Sequence, residues 1–340
     1  MTAAKTEDTG PLNLAPSYRA AEAVIKDRAK SFYRAFSRLS EERFNAVAAV
    51  YAFCRYADDL VDDTGSLRPQ AETEKLLDGL ESAVLSLYGS QKKTAAAGNG
   101  TCTDREVRNE LWWPAFSDTV HRFAIPKDGF LAQIRGQRLD LHFKDIQTGD
   151  ELIEYCRLVA GSVGLMLAPV LADKAQAAQD GRFLCACENL GIGMQITNIL
   201  RDVGEDILTR NRLYLPQNMM SRHNLTKHDI KNIADMSLKG NIEVPSNFRA
   251  LWEQLAMLGN GFYTDCEKYL MYFQSSCRLS VAAASLIYHS IEDEVRKNGY
   301  NCFSKRCASS KLTKLKLIIK AKKIIRQTER LQAPKILKDG

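Results

Sequence analysis

The placement of proline constrains this chain more than any other feature. Proline lacks a backbone donor and clashes with the preceding helical turn, so it punctuates helices and is excluded from their interiors. Nine prolines in 340 residues leave the stretches 17–68, 127–168, 217–244 and 246–333 without one. Within them apolar residues recur at helical spacing, and alternating β-branched runs bounded by tight turns are absent. The pattern predicts helices over 18–36, 41–63, 70–88, 105–124, 128–145, 149–172, 176–205, 227–236, 246–272, 277–297 and about 309–330. Ser40 followed by Arg43 is an imperfect capping box, since Glu would serve better at the third position. The Gly/Ala/Thr-rich segment 89–104 reads as a loop with no function assigned. With no repeat and no clean break, the expectation is one all-α domain over 18–330 with a single core. A flexible segment, 1–17, would precede it and a short tail, 331–340, would follow.

Composition narrows the class. Hydrophobic content of 45% and charged content of 26% are ordinary for a globular chain long enough to bury a substantial core. No charge-free apolar run approaches the roughly 18 residues of a membrane span. The start, MTAAKTEDTGPLNLAPS, has neither a basic lead nor an apolar signal core. Nine scattered cysteines without a CxxC pair suit free thiols in a reducing compartment, so a cytoplasmic location is expected. The net charge of +6 is concentrated in KLTKLKLIIKAKKIIR, residues 311–326, which carries seven bases and no acid. Leu312, Leu315, Ile318, Ile319 and Ile325 fall near one face of that helix. Two readings stand: a basic amphipathic helix touching a membrane surface peripherally, or a terminal helix packing its apolar face on the core. No nucleic-acid motif or aromatic-interleaved basic surface accompanies the run, so nucleic acid is not an expected partner.

The chemistry is concentrated in two aspartate-rich segments, YAFCRYADDLVDD (51–63) and QITNILRDVGED (195–206). Asp58 and Asp62 in the first, and Asp202 and Asp206 in the second, are four apart, with Asn198 one turn before Asp202. Residues four apart share a helix face, and like charges there repel by a few tenths of a kcal/mol per pair. Both clusters follow long apolar runs and so lie late in their helices, where the dipole disfavours anions. A hard cation relieves both penalties, and Mg²⁺ is usually held by a few carboxylates, waters and substrate phosphate oxygens. With Arg55 and Arg201 beside them, two facing patches suit a substrate carrying diphosphate. Neither segment has the layout of an EF-hand loop. G-I-G-M-Q-I at 191–196 lacks the third glycine and preceding strand of a dinucleotide fingerprint, and helix-packing glycines explain it better. The histidines at 121, 142, 223, 228 and 289 form no ligand pattern, and no P-loop, HExxH or GxSxG occurs.

These segments, together with KSFYRAF (30–36), IRGQRLDL (134–141), YCRLVAGSVGLMLAPV (155–170), the extension of the second aspartate segment to QITNILRDVGEDILTRNRLYLP (195–216), and YHSIEDEVRKNGYNCFSKR (288–306), resemble the squalene/phytoene synthases. That family joins two prenyl diphosphates head to head. The pieces stand in the family's order across residues 24–325, and the non-reducing branch, which makes phytoene or dehydrosqualene, is the nearer one. The resemblance implies an all-α isoprenoid-synthase fold around a central apolar cavity with aspartates at its mouth. It implies Mg²⁺, with Mn²⁺ as a substitute, on Asp58, Asp62, Asn198, Asp202 and Asp206. Ser31, Arg55, Arg201, Tyr288 and Arg306 would hold diphosphate oxygens, and Tyr51 would sit near the reacting carbons to stabilise a cation or assist proton transfer. Phe32, Phe36, Tyr155, Val159, Gly164 and Gln195 would line the prenyl tunnels.

The implied activity is a Mg²⁺-dependent prenyltransferase at the entry to carotenoid biosynthesis. It would use farnesyl or geranylgeranyl diphosphate through a cyclopropyl diphosphate intermediate, without NADPH. Phe36 argues for the fifteen-carbon substrate and the small Ala48 for the twenty-carbon one, so chain length stays open. An NADPH-dependent squalene synthase, a prenyl diphosphate phosphatase and a non-catalytic assembly or binding factor are the alternatives.

Overall fold

The computed structural model describes residues 13–63, 68–89, 102–173, 179–240 and 243–332. Among these residues the regular structure is helical, with one isolated antiparallel bridge between Ala172 and Phe273 and no strand. In chain order the helices are α1 (Ala15–Arg28), α2 (Lys30–Phe36), α3 (Glu41–Asp62), α4 (Gln70–Ser86), α5 (Cys102–Arg108), α6 (Trp113–Arg122), α7 (Lys127–Leu141), α8 (Gly149–Cys156), α9 (Ser162–Leu171), α10 (Gly181–Thr209), α11 (Gln217–Arg222), α12 (Lys227–Leu238), α13 (Ser246–Lys268), α14 (Ser275–Lys297) and α15 (Lys311–Gln332). A π-helical turn, Arg157–Gly161, joins α8 to α9 without a break.

The prolines act as their chemistry requires. Pro16 and Pro114 are the second residues of α1 and α6, within the first turn, and Pro69, Pro126, Pro216 and Pro245 are the N-caps of α4, α7, α11 and α13. Only Pro169, in α9, is internal among the described prolines. Side-chain caps supply further starts: Asp180 accepts from the backbone N–H groups of Arg182 and Phe183, and Thr226 with Asp229 forms a full capping box. Ser40 makes no such bond, so the capping box expected there is absent.

Several predicted boundaries move for identifiable reasons. The helix expected over 18–36 starts at Ala15 and breaks at Ala29, whose φ of −135° and ψ of 62° are not helical. That expected over 105–124 splits into α5 and α6, and α11 lies where no helix was predicted. Most of the expected loop 89–104 and of both terminal segments lies outside the described residues. The segment Gly149–Leu171 is long and apolar enough to cross a bilayer, but it packs between α7 and α10 and walls a cavity, which marks it as a core helix.

The buried apolar side chains fall into two clusters, one built on α1, α3, α4, α6, α7 and α9, the other on α8, α11, α12, α13 and the later part of α10. In the first, Phe53 of α3 stacks on Phe116 of α6 at 4.9 Å, and both meet Phe130 of α7 edge-on at 5.0 and 5.1 Å. Such pairs contribute roughly 0.5–1.5 kcal/mol each beyond area burial, and this triad fixes the helix that carries the first aspartate cluster. Between the clusters α9 and α10 cross at backbone contact. A Cβ on Gly164 would lie 2.1 Å from the Cys187 carbonyl oxygen, and one on Gly191 would lie 2.2 Å from that of Ala160. The glycines of the failed dinucleotide motif are thus packing glycines.

The apolar residues of α15 divide between two faces. Ile318, Ala321, Ile324 and Ile325 pack inward, whereas Leu312, Leu315 and Ile319 are 63, 55 and 61% exposed. At 100° per residue Ile318 and Ile325 lie far from Leu312 and Ile319, so the single face read from sequence is two strips.

Candidate active site

A cavity of about 930 Å³ runs between the clusters. Val47, Val50, Leu167, Leu171, Phe273 and Val281 give it an apolar wall, and its mouth carries Asp58, Asp62, Asp202 and Asp206. The two aspartate helices therefore face one another.

Arginines organise the carboxylates. Arg55 reaches Asp58 at 2.8 Å and Asp62 at 3.8 Å, and also contacts Asp59. Arg201 donates through Nε to Asp202 at 2.7 Å, and Arg306 reaches the same carboxylate at 3.2 Å. Arg210 spans the gap, donating to Asp62 at 3.1 Å and to Asp206 at 3.2 Å. Among the described residues no three His, Cys, Asp or Glu side chains converge to cage an ion unaided. The arrangement suits a cation that shares its coordination with a diphosphate and waters.

The electrostatics favour such a cation. Burial first, and then the charge of Asp62, pushes the Asp58 carboxyl up to about 6 against the pull of Arg55. Asp58 keeps 40% of its side-chain surface, and it borders the cleft. Burial and then Asp202 push Asp206 up to about 7, with Arg210 opposing. Asn198 has a buried Oδ1 with no hydrogen-bond partner among the described residues, while its Nδ2 donates to Gln195 Oε1 at 3.2 Å. An orphaned oxygen one turn before Asp202, together with carboxylates raised by burial and by one another's charge, is a donor set that fits a hard divalent ion.

Local backbone geometry aims the second cluster. At Asp202 α10 is kinked, with φ −108° and ψ 15°. The N–H of Gly204 turns to the Cys302 carbonyl at 3.1 Å, and the carbonyl of Leu200, its ordinary helical partner, accepts the Trp252 indole N–H at 3.0 Å. Both groups freed at the kink are thereby satisfied. A Cβ on residue 204 would lie 2.2 Å from the Phe303 carbonyl oxygen, so the loop bearing Arg306 can seat there only against glycine.

Most of the residues singled out from sequence meet here. Tyr51, Phe32, Phe36, Arg55, Tyr155, Gly164, Gln195, Arg201, Tyr288 and Arg306 all border the cavity together with the metal-ligand candidates. Phe32 packs on Phe36 at 4.5 Å and on Tyr51 at 6.0 Å. Burial, opposed by Arg55, pushes the Tyr51 hydroxyl up to about 12, so it stays protonated. Val159 departs from expectation. It lies on the π turn and packs towards Gly136, where a Cβ would be 2.6 Å from its Cγ1, within the second cluster and away from the cavity wall. The small Ala48 is fully buried in the first cluster, and Val47 and Val50 form the wall beside it. Ser31 lies on α2, and its side chain is outside the described set.

The family model described as squalene/phytoene synthase matches residues 25–313. The chain belongs to the squalene/phytoene synthase family. Phytoene synthase 2, chloroplastic, of Oryza sativa subsp. japonica is 33% identical over 306 residues, covering 89% of this chain and 69% of that protein. Phytoene synthase 2, chloroplastic, of Solanum lycopersicum is likewise 33% identical, covering 89% of this chain and 88% of its own length. Among solved structures, a dehydrosqualene synthase in complex with ligand superposes with a TM-score of 0.75 at 32% identity, over 92% of this chain and 97% of that one. The squalene synthase HpnC from Alicyclobacillus acidocaldarius, at 18% identity and a TM-score of 0.66 over 86% of this chain and 97% of that one, shares the fold. The fold is the all-α isoprenoid synthase fold.

Residues that sequence reading left without a role also border the cavity. Asp140 is buried and accepts the hydroxyls of Tyr155 at 2.9 Å and Tyr214 at 2.8 Å. Burial pushes the Asp140 carboxyl up, opposed by Arg212 and the two tyrosines. Arg210 could have been found from its position one turn beyond Asp206. Lys314 of α15, which borders the same cavity, carried no site signal apart from its basic run.

Proposed function

We propose that this protein condenses two prenyl diphosphates head to head, through a cyclopropyl diphosphate, at the entry to carotenoid biosynthesis. The observation that carries the reading is the meeting of two carboxylate patches, from α3 and α10, at the mouth of an apolar cavity. Asp58, Asp62, Asn198, Asp202 and Asp206 would hold Mg²⁺, with Mn²⁺ as a substitute. When bound, the ion neutralises charge on the departing diphosphate. Arg55, Arg201, Arg306 and Tyr288 hold diphosphate oxygens, which requires the arginines to exchange part of their present carboxylate contacts for phosphate.

The first C–O bond breaks with its electron pair on the leaving diphosphate. The double bond of the second substrate attacks the allylic cation, and loss of a proton closes the cyclopropane. A second ionisation rearranges that ring to the 1–1′ link, and loss of a second proton ends the reaction without a reductant. Tyr51, protonated and beside Phe32, offers ring and hydroxyl to the cations. The apolar wall keeps out water, which would quench them as alcohols. The product is phytoene or dehydrosqualene according to which prenyl diphosphate the cavity accepts. Asp58→Ala and Asp202→Ala are expected to reduce condensation at least 100-fold while leaving the melting temperature within a few degrees. Wild-type turnover in either variant would overturn these roles.

For a water-insoluble product, the outer strip of α15 supports peripheral contact with an anionic membrane surface. Leu312, Leu315 and Ile319 are exposed among Lys311, Lys316, Lys320, Lys322, Lys323 and Arg326. Flotation with anionic vesicles is expected to recover the wild-type chain and to lose the Leu312→Ser/Leu315→Ser/Ile319→Ser variant. Equal recovery would reject the contact.

A further inference from the structure

Behind the mouth of the cavity lies a buried acid that touches neither the cavity nor any candidate ligand. Glu292 of α14 is 1% exposed and is not part of the cavity wall. Its Oε1 accepts the Thr197 hydroxyl at 2.9 Å, and Thr197 Oγ1 lies 2.8 Å from the Tyr263 hydroxyl, so one short chain joins α14, α10 and α13. Its Oε2 has no hydrogen-bond partner among the described residues.

No cation is dedicated to Glu292. Arg296 stands 3.6 Å from Oε2 but is held in a fork by Glu253 at 2.8 and 2.9 Å, contacts Asp293 at 3.2 Å, and lies over Trp252. His289 is 3.8 Å away, bonded through Nε2 to Asn260, and its ring stacks on Tyr263 at 4.6 Å. Burial pushes the Glu292 carboxyl up to about 7, against the bond from Thr197 and the charge of Arg296. A half-satisfied buried carboxyl costs stability, and an apolar residue of similar size is often better tolerated there.

Its neighbours give this acid a use. Thr197 immediately precedes Asn198, which borders the cavity, and Glu292 lies one helical turn beyond Tyr288, which also borders it. The Glu292–Thr197 bond therefore ties the helix bearing a metal-ligand candidate to the helix bearing a diphosphate-binding candidate, directly behind both. Tyr263, fixed against α10, braces the link from the third side. We propose that Glu292 is a positioning residue that, through Thr197, holds Asn198 and Tyr288 in register for the divalent cation and diphosphate.

The inference rests on the proposed function, so its test reads binding as well as turnover. Titration calorimetry would follow inorganic pyrophosphate in saturating Mg²⁺ with the full-length wild type, Glu292→Leu, Glu292→Gln and Thr197→Val. Thermal melts of the free proteins would be recorded in parallel. Glu292→Leu and Thr197→Val are expected to weaken pyrophosphate binding at least fivefold and to raise KM by a similar factor, with Glu292→Leu melting no lower than wild type. Glu292→Gln, which keeps the acceptor for Thr197, is expected to restore binding to within twofold. Wild-type affinity in both Glu292→Leu and Thr197→Val would overturn the positioning role while leaving the site reading intact. Absence of Mg²⁺-dependent pyrophosphate binding in the wild type would overturn the site reading and this inference with it.

Discussion

Two identical substitutions are expected to act in opposite directions, because one glycine sits at a wedge and the other faces open space. In Gly204→Ala the new Cβ would lie 2.2 Å from the Phe303 carbonyl oxygen and 2.3 Å from its Cα, both backbone atoms that cannot rotate away. The loop must retreat by about 1 Å or more to reach ordinary contact, and overpacking of this kind costs roughly 1–3 kcal/mol. Retreat also stretches the 3.1 Å bond from Gly204 N–H to Cys302, and a buried group left unpaired costs roughly 1–3 kcal/mol more. The helix propensity of alanine returns about 1 kcal/mol. The net loss is roughly 1–5 kcal/mol, equivalent to about 2–7 °C in melting temperature for a chain of this size. Gly261→Ala, on an exposed turn of α13 with nothing within 4 Å of the new Cβ, is expected to gain up to about 1 kcal/mol by propensity alone. Calorimetric melts of both variants decide the matter. Condensation rates taken well below melting add a second test. Gly204→Ala should fall more than tenfold, because the displaced loop carries Arg306 away from Asp202, whereas Gly261→Ala should match wild type. Equal melting temperatures for the two variants, or a Gly204→Ala variant that gains stability, would refute the wedge.

Arg210 fills the gap between the two carboxylate patches, and its pairs are partly solvated, so each contributes only about 0.5–1 kcal/mol. Arg210→Ala should melt slightly lower than wild type without ligand, yet gain more than wild type when Mg²⁺ and pyrophosphate are added; an unchanged gain would argue against a shared location. For Glu292, burial raises the folded carboxyl from 4.5 to about 7. The folded state then binds the proton more tightly than the unfolded state, and stability is lost as pH rises from about 4.5 to 7, by at most about 3 kcal/mol. Denaturant titrations of wild type and Glu292→Gln across that range should differ by this fall, and parallel curves would contradict it. Phe36→Ala should lengthen the preferred prenyl substrate, as read by product mass. Val159→Ala should leave product mass unchanged and cost roughly 1–2 kcal/mol in a denaturant melt. A change of product in the second variant would return Val159 to the cavity wall.

Helices were the most legible level of the sequence because proline is a negative signal with a steric cause. The described prolines, Pro169 excepted, stand at helix starts, and the long stretches between them are helical. The aspartate pairs were legible for an equivalent reason: four-residue spacing fixes a shared face whatever surrounds it. Their convergence was not, since it depends on Phe53 stacking against α6 and α7 and on the kink at Asp202. No local pattern marks Gly204 as the seat of Phe303, or Glu292 as the partner of Thr197, because both depend on contacts between distant segments. Val159 was carried over from the family resemblance, and the structure instead sets it on the π turn Arg157–Gly161, outside the cavity lining. The strips of α15 were merged because a basic amphipathic pattern does not reveal which apolar residues the core will take.

The most direct test of the account is the product formed by the purified chain. It would be given Mg²⁺ with farnesyl or geranylgeranyl diphosphate and no NADPH, and the extract read by mass spectrometry. The account expects a thirty- or forty-carbon hydrocarbon, dehydrosqualene or phytoene, with two diphosphates released per product. Prenyl alcohol alone, or squalene appearing only when NADPH is added, would contradict it.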